Sequence, residues 1–161
     1  MTARALLPDS PLGPIQVTVE EDAVTRVTWG GALEEASGSE AENALAQEAI
    51  EQLEDYFAGK RRDFALPLAP RGGEFQQRVW RSMTEIPYGE TQSYGDLAQR
   101  IGSVARAVGG ACGFNPIPIV IPCHRVLGGG GRMVGFSAAG GVADKRLLLA
   151  LERGEPALPF G

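Results

Sequence analysis

The sequence predicts an α+β N-terminal domain, a small antiparallel sheet plus a helix, followed by a mostly α C-terminal domain that contains a helix-turn-helix. Three features of the chain predict this. Residues 14–29 alternate apolar and polar side chains about a Glu21-Asp22 turn, as a hairpin does. Residues 41–58 repeat apolar side chains with a helical period and stop at Gly59. Residues 93–114 hold two short helical segments joined by a glycine-containing turn. A chain of 161 residues suffices for one generous domain or two small ones, and Pro70-Arg71-Gly72-Gly73 divides 1–73 from 74–161.

Composition narrows the class. At 43% hydrophobic and 22% charged, the chain has globular composition. It has no apolar run near the ~18 residues of a membrane-spanning helix, and the apolar segment at its start is too short for a signal peptide. Two cysteines without a secretion signal point to free thiols in a reducing cytoplasm. One histidine and two cysteines cannot make a four-ligand zinc site of Cys and His, so no metal is expected. The net charge of −5 is uneven: residues 1–73 carry six Lys/Arg against thirteen Asp/Glu, and residues 74–161 carry nine against seven. An acidic first half and a mildly basic second half place any nucleic-acid face on the second.

The elements follow in order. In the hairpin, Ile15, Val17 and Val19 precede the turn, and Val24, Val27 and Trp29 follow it. The Gly/Ser/Glu-rich residues 31–40 read as a loop. In the helix, Leu45, Ala49, Ile50, Leu53 and Phe57 share one face. Phe64, Leu66 and Leu68 form a short strand that Pro67 confines to an edge. Phe75, Val79, Trp80, Met83 and Ile86 mark the next helix, which ends before Pro87. Ser93 caps a helix from Tyr94 to Ile101, with Asp96 at the third position, and Gly102 stops it. Ser103 caps the next, Val104 to Cys112. Ala105, Ala107, Gly109, Gly110 and Ala111 leave that helix almost bare, although its glycines weaken it. Such a surface admits close approach, either by a large partner or by another helix of the same fold. Arg106 is its one long charged side chain, and Cys112 reads as packing. Leu127-Gly-Gly-Gly-Gly-Arg132 is a glycine loop. Met133–Phe136 returns, 137–141 loops again, and a last helix runs from Val142 to Arg153 with Leu147, Leu148 and Leu151 apolar.

The chemistry centres on Ile117-Pro-Ile-Val-Ile-Pro-Cys-His-Arg-Val126. Pro116, Pro118 and Pro122 favour an extended chain. Ile117, Ile119, Ile121 and Cys123 then share a face, and the thiol continues an apolar row. Burial alone raises a thiol's pKa and makes it inert, so a reactive Cys123 needs His124, the only histidine. Strand neighbours point to opposite faces, so the two meet only through a turn at Pro122-Cys123 or through a water. Glu152 stands near a helix C-terminus, where a carboxylate is disfavoured, and a histidine partner would account for it. A lone cysteine among apolar residues is otherwise a small core residue.

Four motifs in order carry a resemblance: Ile-Pro-Tyr-Gly-Glu…Ser-Tyr-Gly-Asp-Leu-Ala (86–98), Ala-Arg-Ala-Val-Gly-Gly-Ala (105–111), Asn-Pro-Ile (115–117) and Pro-Cys-His-Arg-Val (122–126). Together they resemble the O(6)-alkylguanine-DNA alkyltransferases, over about Phe75 to Gly154. The resemblance implies a winged helix-turn-helix-like DNA-binding motif and a single-use repair reaction, in which an alkyl group moves from the 6-oxygen of guanine to Cys123. His124 then draws the thiol proton through water, and Glu152, or Glu155 as the alternative, orients it. Tyr94 hydrogen-bonds the flipped guanine and helps it leave. Asn115 braces the turn beside the cysteine, and backbone groups of Cys123, Val126 and Ser137 read the guanine edge. Arg106 fills the gap in the base stack, and the bare surface of Ala105, Ala107 and Gly110 enters the minor groove. The implied partner is double-stranded DNA containing alkylated guanine, bound by a monomer, with no cofactor and no membrane. Phe136 departs from the family's usual tyrosine, and the 137–141 loop is about two residues longer. Two other readings compete. A non-catalytic damage binder of the alkyltransferase-like type lacks the cysteine that this chain has. A cysteine hydrolase needs an oxyanion site of which the sequence shows no sign.

Overall fold

A computed structural model describes residues 2–31, 38–133 and 141–155. Residues 134–140, and with them Phe136 and Ser137, lie outside the described residues, as does most of the loop expected at 31–40. The chain forms two compact units, Met1–Arg71 and Gly72–Gly161.

The first unit is a three-stranded antiparallel sheet of β1 (Thr2–Leu7), β2 (Ile15–Glu20) and β3 (Ala23–Trp29), in that order, with helix α1 (Glu40–Phe57) packed on it. β2 is central, and its Ile15, Val17 and Val19 are completely buried. The β2–β3 turn is the expected Glu21-Asp22 pair, both in the left-handed region at φ 48 and 66. Two-residue hairpins require that conformation. Asp22 tolerates it but Glu21 does not favour it, and Glu42 of α1 compensates by accepting the Glu21 N–H at 3.0 Å. Glu42 also completes the capping box of α1, whose N-cap Ser39 accepts the Glu42 N–H.

Several expectations for this unit are corrected. β1 is absent from the sequence reading because its buried side chains, Ala3 and Leu7, are too few to show alternation. On α1 Ala49, Ile50 and Leu53 are buried as expected, but at the two ends of the stripe the core positions are Ala46 and Tyr56, and Leu45 and Phe57 only flank it. The Phe64–Leu68 strand reduces to a single bridge, Leu68 to Val24, because Pro67 has no N–H to extend the ladder.

The second unit begins with α2 (Glu74–Thr84), which buries Val79, Trp80 and Met83. α3 (Tyr94–Ile101) and α4 (Ala105–Gly113) follow as a helix-turn-helix. Ser93 caps α3 with Asp96 in reciprocal bonds. Gly102, at φ 71, ends it, and Ser103 donates its N–H back to Ala98 O at 2.8 Å. Ser103 therefore closes α3 rather than opening α4, whose N-cap is Val104 with no side-chain bond. Two short strands, β4 (Gln92–Ser93) and β5 (Val126–Leu127), pair in parallel. α5 (Gly141–Glu152) completes the unit, burying Leu148 and Leu149 with Lys145 and Glu152, whereas Leu147 and Leu151 are only partly covered.

Candidate active site

The site is built on a segment that is not extended, contrary to the reading from its prolines. Ile119 adopts φ 76, and Ile121 N–H closes onto Ile117 O at 2.9 Å. Ile117, Ile119 and Ile121 are buried, but on a loop rather than along a strand. The prolines set their own φ and bias the residues before them, which leaves Ile119 free to reverse the chain. Asn115 clasps this loop at both ends: its amide nitrogen donates to Ile121 O at 2.9 Å, and its oxygen accepts Ile117 N–H at 3.0 Å.

Pro122 then turns the backbone, with φ −80, ψ 67 and a 2.8 Å bond from Cys123 N–H to Ile121 O, an inverse γ-turn. Cys123–Arg125 follow as one 3₁₀ turn. At three residues per turn their side chains leave about 120° apart, so the thiol departs from the imidazole and guanidinium, whose longer reach lets both converge on one carboxylate. The β4–β5 pairing joins Ser93 to Leu127 and so brings Tyr94, the next residue, toward the cysteine turn.

His124 and Glu152 are completely buried side chains, with Nε2 and Oε2 2.6 Å apart. Arg125 grips the same carboxylate through Nε at 2.8 Å and Nη2 at 3.0 Å, and donates Nη1 to Ile86 O at 2.7 Å. Gly89 N–H adds a further bond to Glu152 Oε1, at 3.1 Å. Glu155, the alternative orienter, is exposed. A carboxylate only accepts, so it places the imidazole proton on Nε2. Nδ1 then carries the lone pair, and it meets no hydrogen-bond partner among the described residues. Burial lowers the pKa of His124, outweighing the pull of Glu152, and the charges of Arg125 and Lys145 lower it further. The ring is neutral at neutral pH.

Cys123 is 8% exposed, and burial pushes its thiol up to about 11. The Asn115 amide and the Lys145 charge act in the opposite direction. Lys145, which the sequence reading missed, is 0% exposed and donates Nζ to Val126 O at 2.5 Å. Its nitrogen lies 5.9 Å from the centre of the Tyr94 ring. Burial first, then the two thiols, pushes the Tyr94 phenol up to about 12. Cys112 packs against Met83, sulfur to sulfur at 3.4 Å. Among the described residues no group of three or more His, Cys, Asp or Glu side chains is gathered to hold a metal.

The other predicted residues lie on the outside of α4. Val108, Ala111 and Cys112 face inward. Ala105, Arg106, Ala107 and Gly110 are exposed. A Cβ built at Gly109, Gly110 or Gly113 would meet nothing within 4 Å. Packing inside the fold therefore does not require these glycines, which removes the alternative of close helix–helix contact at those positions.

A helix-turn-helix with one bare face, joined to a buried cysteine beside an oriented neutral histidine, defines a thiol-bearing protein of the nucleic-acid-binding class. Comparison with known proteins specifies it further. Residues 74–154 match the DNA binding domain of 6-O-methylguanine DNA methyltransferase, and residues 4–70 match the ribonuclease-like domain of the same proteins. The chain belongs to the 6-O-methylguanine DNA methyltransferase family. It is 47% identical to a methylated-DNA–protein-cysteine methyltransferase of Mycolicibacterium paratuberculosis over 150 residues, 90% of this chain and 89% of the relative. A constitutive Bacillus subtilis relative is 41% identical over 155 residues, 90% and 92% of the two chains. The crystal structure of a Mycobacterium tuberculosis O6-methylguanine methyltransferase superposes with a TM-score of 0.82 at 38% identity, covering 99% of this chain and 98% of that one. A second, of Mycobacterium tuberculosis OGT in complex with DNA, gives 0.81 at 42% identity over 96% of each.

Proposed function

We propose that this protein repairs DNA by direct reversal of alkylation, with Cys123 as the acceptor. The sulfur attacks the alkyl carbon in line; the S–C bond forms, the C–O bond breaks, and the electron pair leaves on the 6-oxygen of guanine. The thioether is stable, so each molecule acts once. The observation that carries this reading is a neutral, buried His124, held by Glu152 with Nδ1 as its basic atom, next in sequence to a buried thiol.

The thiol's pKa of about 11 leaves only about 10⁻⁴ of it as thiolate at pH 7, so transfer depends on a base. His124 Nδ1 takes the proton through one bridging water. Glu152 balances the imidazolium, and Arg125 holds Glu152 in place. Tyr94, whose phenol stays protonated, donates to the flipped guanine as it leaves. Asn115 fixes the cysteine loop. Backbone groups at Val126 and Ser137 read the base, and the Val126 carbonyl also accepts Lys145.

DNA binds to the outer face of α4. Ala105, Ala107 and Gly110 approach the minor groove, Arg106 enters the stack, and the target guanine is flipped out. The protein acts as a cytoplasmic monomer on double-stranded DNA containing alkylated guanine. No helix among the described residues is long and apolar enough to cross a membrane.

The test is incubation with duplex DNA carrying O(6)-methylguanine, followed by peptide masses. One methyl on the Cys123 peptide, one equivalent consumed, and none with Cys123→Ser is the expected result. Tight binding without transfer would instead indicate a damage-recognising binder.

A further inference from the structure

α4 presents a stripe to the outside that its own fold does not use. At 100° per residue, Ala107, Gly110 and Phe114 follow one another at i, i+3 and i+7, an exposed stripe that borders the face buried through Val108, Ala111 and Cys112. Ala107 and Gly110 are exposed, and Cβ atoms added at Gly110 or Gly113 would meet nothing within 4 Å. The stripe is thus smooth until it reaches Phe114, which is 73% exposed.

Phe114 does little for the fold. It sits at the C-cap, with φ −98, ψ 7 and its N–H on Ala111 O, so the backbone is still close to helical where the ring leaves it. A ring this exposed contributes neither capping nor burial. Only three large apolar side chains are exposed among the described residues: Phe114, Val104 at 64% and Leu6 at 40%. A single exposed apolar residue needs no explanation, but two of these three bracket one nine-residue helix. Between them the positions that are not buried hold only alanine, glycine and one arginine. That surface is a narrow ridge with an apolar tip, not the contiguous apolar patch that a protein partner needs.

We propose that Phe114 is a DNA-contacting residue, an apolar wedge at the trailing end of α4 that packs on the deoxyribose and base edges of the minor groove. This rests on the reading of α4 as the helix that faces DNA. Arg106 and Phe114 stand eight residues apart, about 12 Å along the helix axis, or three to four base-pair steps at about 3.4 Å each. The two contacts differ in kind. Arg106 contributes charge, which salt screens; Phe114 contributes apolar area, which salt does not. Apolar side chains wedged into minor grooves are a general means of holding deformed duplexes, and a site that extrudes a base deforms the duplex it holds.

The experiment titrates a fluorescent duplex containing O(6)-methylguanine with the full chain and with Phe114→Ala, Phe114→Leu and Leu6→Ala, across a series of salt concentrations. Phe114→Ala is expected to weaken binding roughly tenfold, as loss of most of a buried ring would, with the salt slope unchanged. Phe114→Leu recovers part of the loss, and Leu6→Ala binds like the parent. Melting temperature and iodoacetamide labelling of Cys123 stay the same in all three, which separates lost contact from lost structure. Parent-like binding by Phe114→Ala would overturn the proposal while leaving the DNA-binding reading intact. So would a loss of binding that tracks a loss of melting temperature. Failure of the parent chain to bind any duplex would overturn the reading of α4 and the wedge together.

Discussion

Replacing Gly109 and Gly110 by alanine is expected to stabilise the protein while weakening its hold on DNA. Both glycines lie inside α4 with φ outside the left-handed region, and a Cβ at either has open space. Glycine is about 0.8–1.0 kcal/mol worse than alanine in a helix interior, so the pair should add about 2 kcal/mol. For a unit the size of Gly72–Gly161, about 2 kcal/mol corresponds to a rise of roughly 8 °C or more in melting temperature. On the proposed binding mode the bare face carries the same methyl groups toward the duplex. Inserted into a close contact they cost about 1–3 kcal/mol, and affinity should fall by about fivefold to 150-fold. Calorimetry measures the first effect and fluorescence anisotropy on duplex DNA the second. Unchanged affinity would refute the view that the bare face exists for DNA. A lower melting temperature would show that the glycines serve the fold after all.

Glu152→Ala should destabilise the second unit by about 3–5 kcal/mol, because it strands the buried Arg125 guanidinium without its partner; urea denaturation checks this, and an unaffected midpoint would contradict it. Asn115→Ala removes both clasps of the cysteine loop, so transfer should slow at least tenfold while DNA affinity stays within a factor of two. An affinity loss as large as the rate loss would deny the residue a positioning role. Stability should fall as pH drops below about 6.5. The lowered pKa of His124 means that the unfolded chain takes up a proton before the folded one does, and the lowered carboxyls of Asp96 and Glu42 add to the fall further down. On the alkaline side opposing groups act, and the raised phenol of Tyr94 joins the thiols above pH 10. The raised thiols favour the folded state less above pH 9, while relief of the buried Lys145 charge works the other way. Denaturant midpoints at pH 5, 7.5 and 10 measure both limbs.

Much of this was legible in the chain, for identifiable reasons. The hairpin turn, the capping of α3 and the helix-turn-helix are local, and local chemistry writes them plainly. Glu152 stood out because its charge opposes the helix dipole, and its bond to the only histidine resolves that conflict. Arg125 did not stand out, since its carboxylate partner is 27 residues away and nothing local marks it. Lys145 had a faint signal, a charge three and four residues before Leu148 and Leu149 on a buried face, but the reading of α5 from Leu147, Leu148 and Leu151 was right only at Leu148 and so did not fix the register. The cysteine loop was misread because prolines restrict their own φ and the residue before them, and Ile119 precedes no proline. β1 was invisible because a strand on the edge of a sheet needs little apolar content of its own.

The carboxylate of Glu152 also sets an order of events during synthesis. It receives Gly89, His124 and Arg125, all of which leave the ribosome earlier than it does. Until α5 docks, the imidazole lacks the acceptor that selects its tautomer, and the guanidinium lacks its counter-ion. A nascent chain therefore carries its cysteine for many residues beside an unoriented imidazole, and the proposed base is set only when nearly the whole second unit is present. On the proposed single-use reaction, this delay keeps the sulfur from being armed before the rest of the second unit is in place.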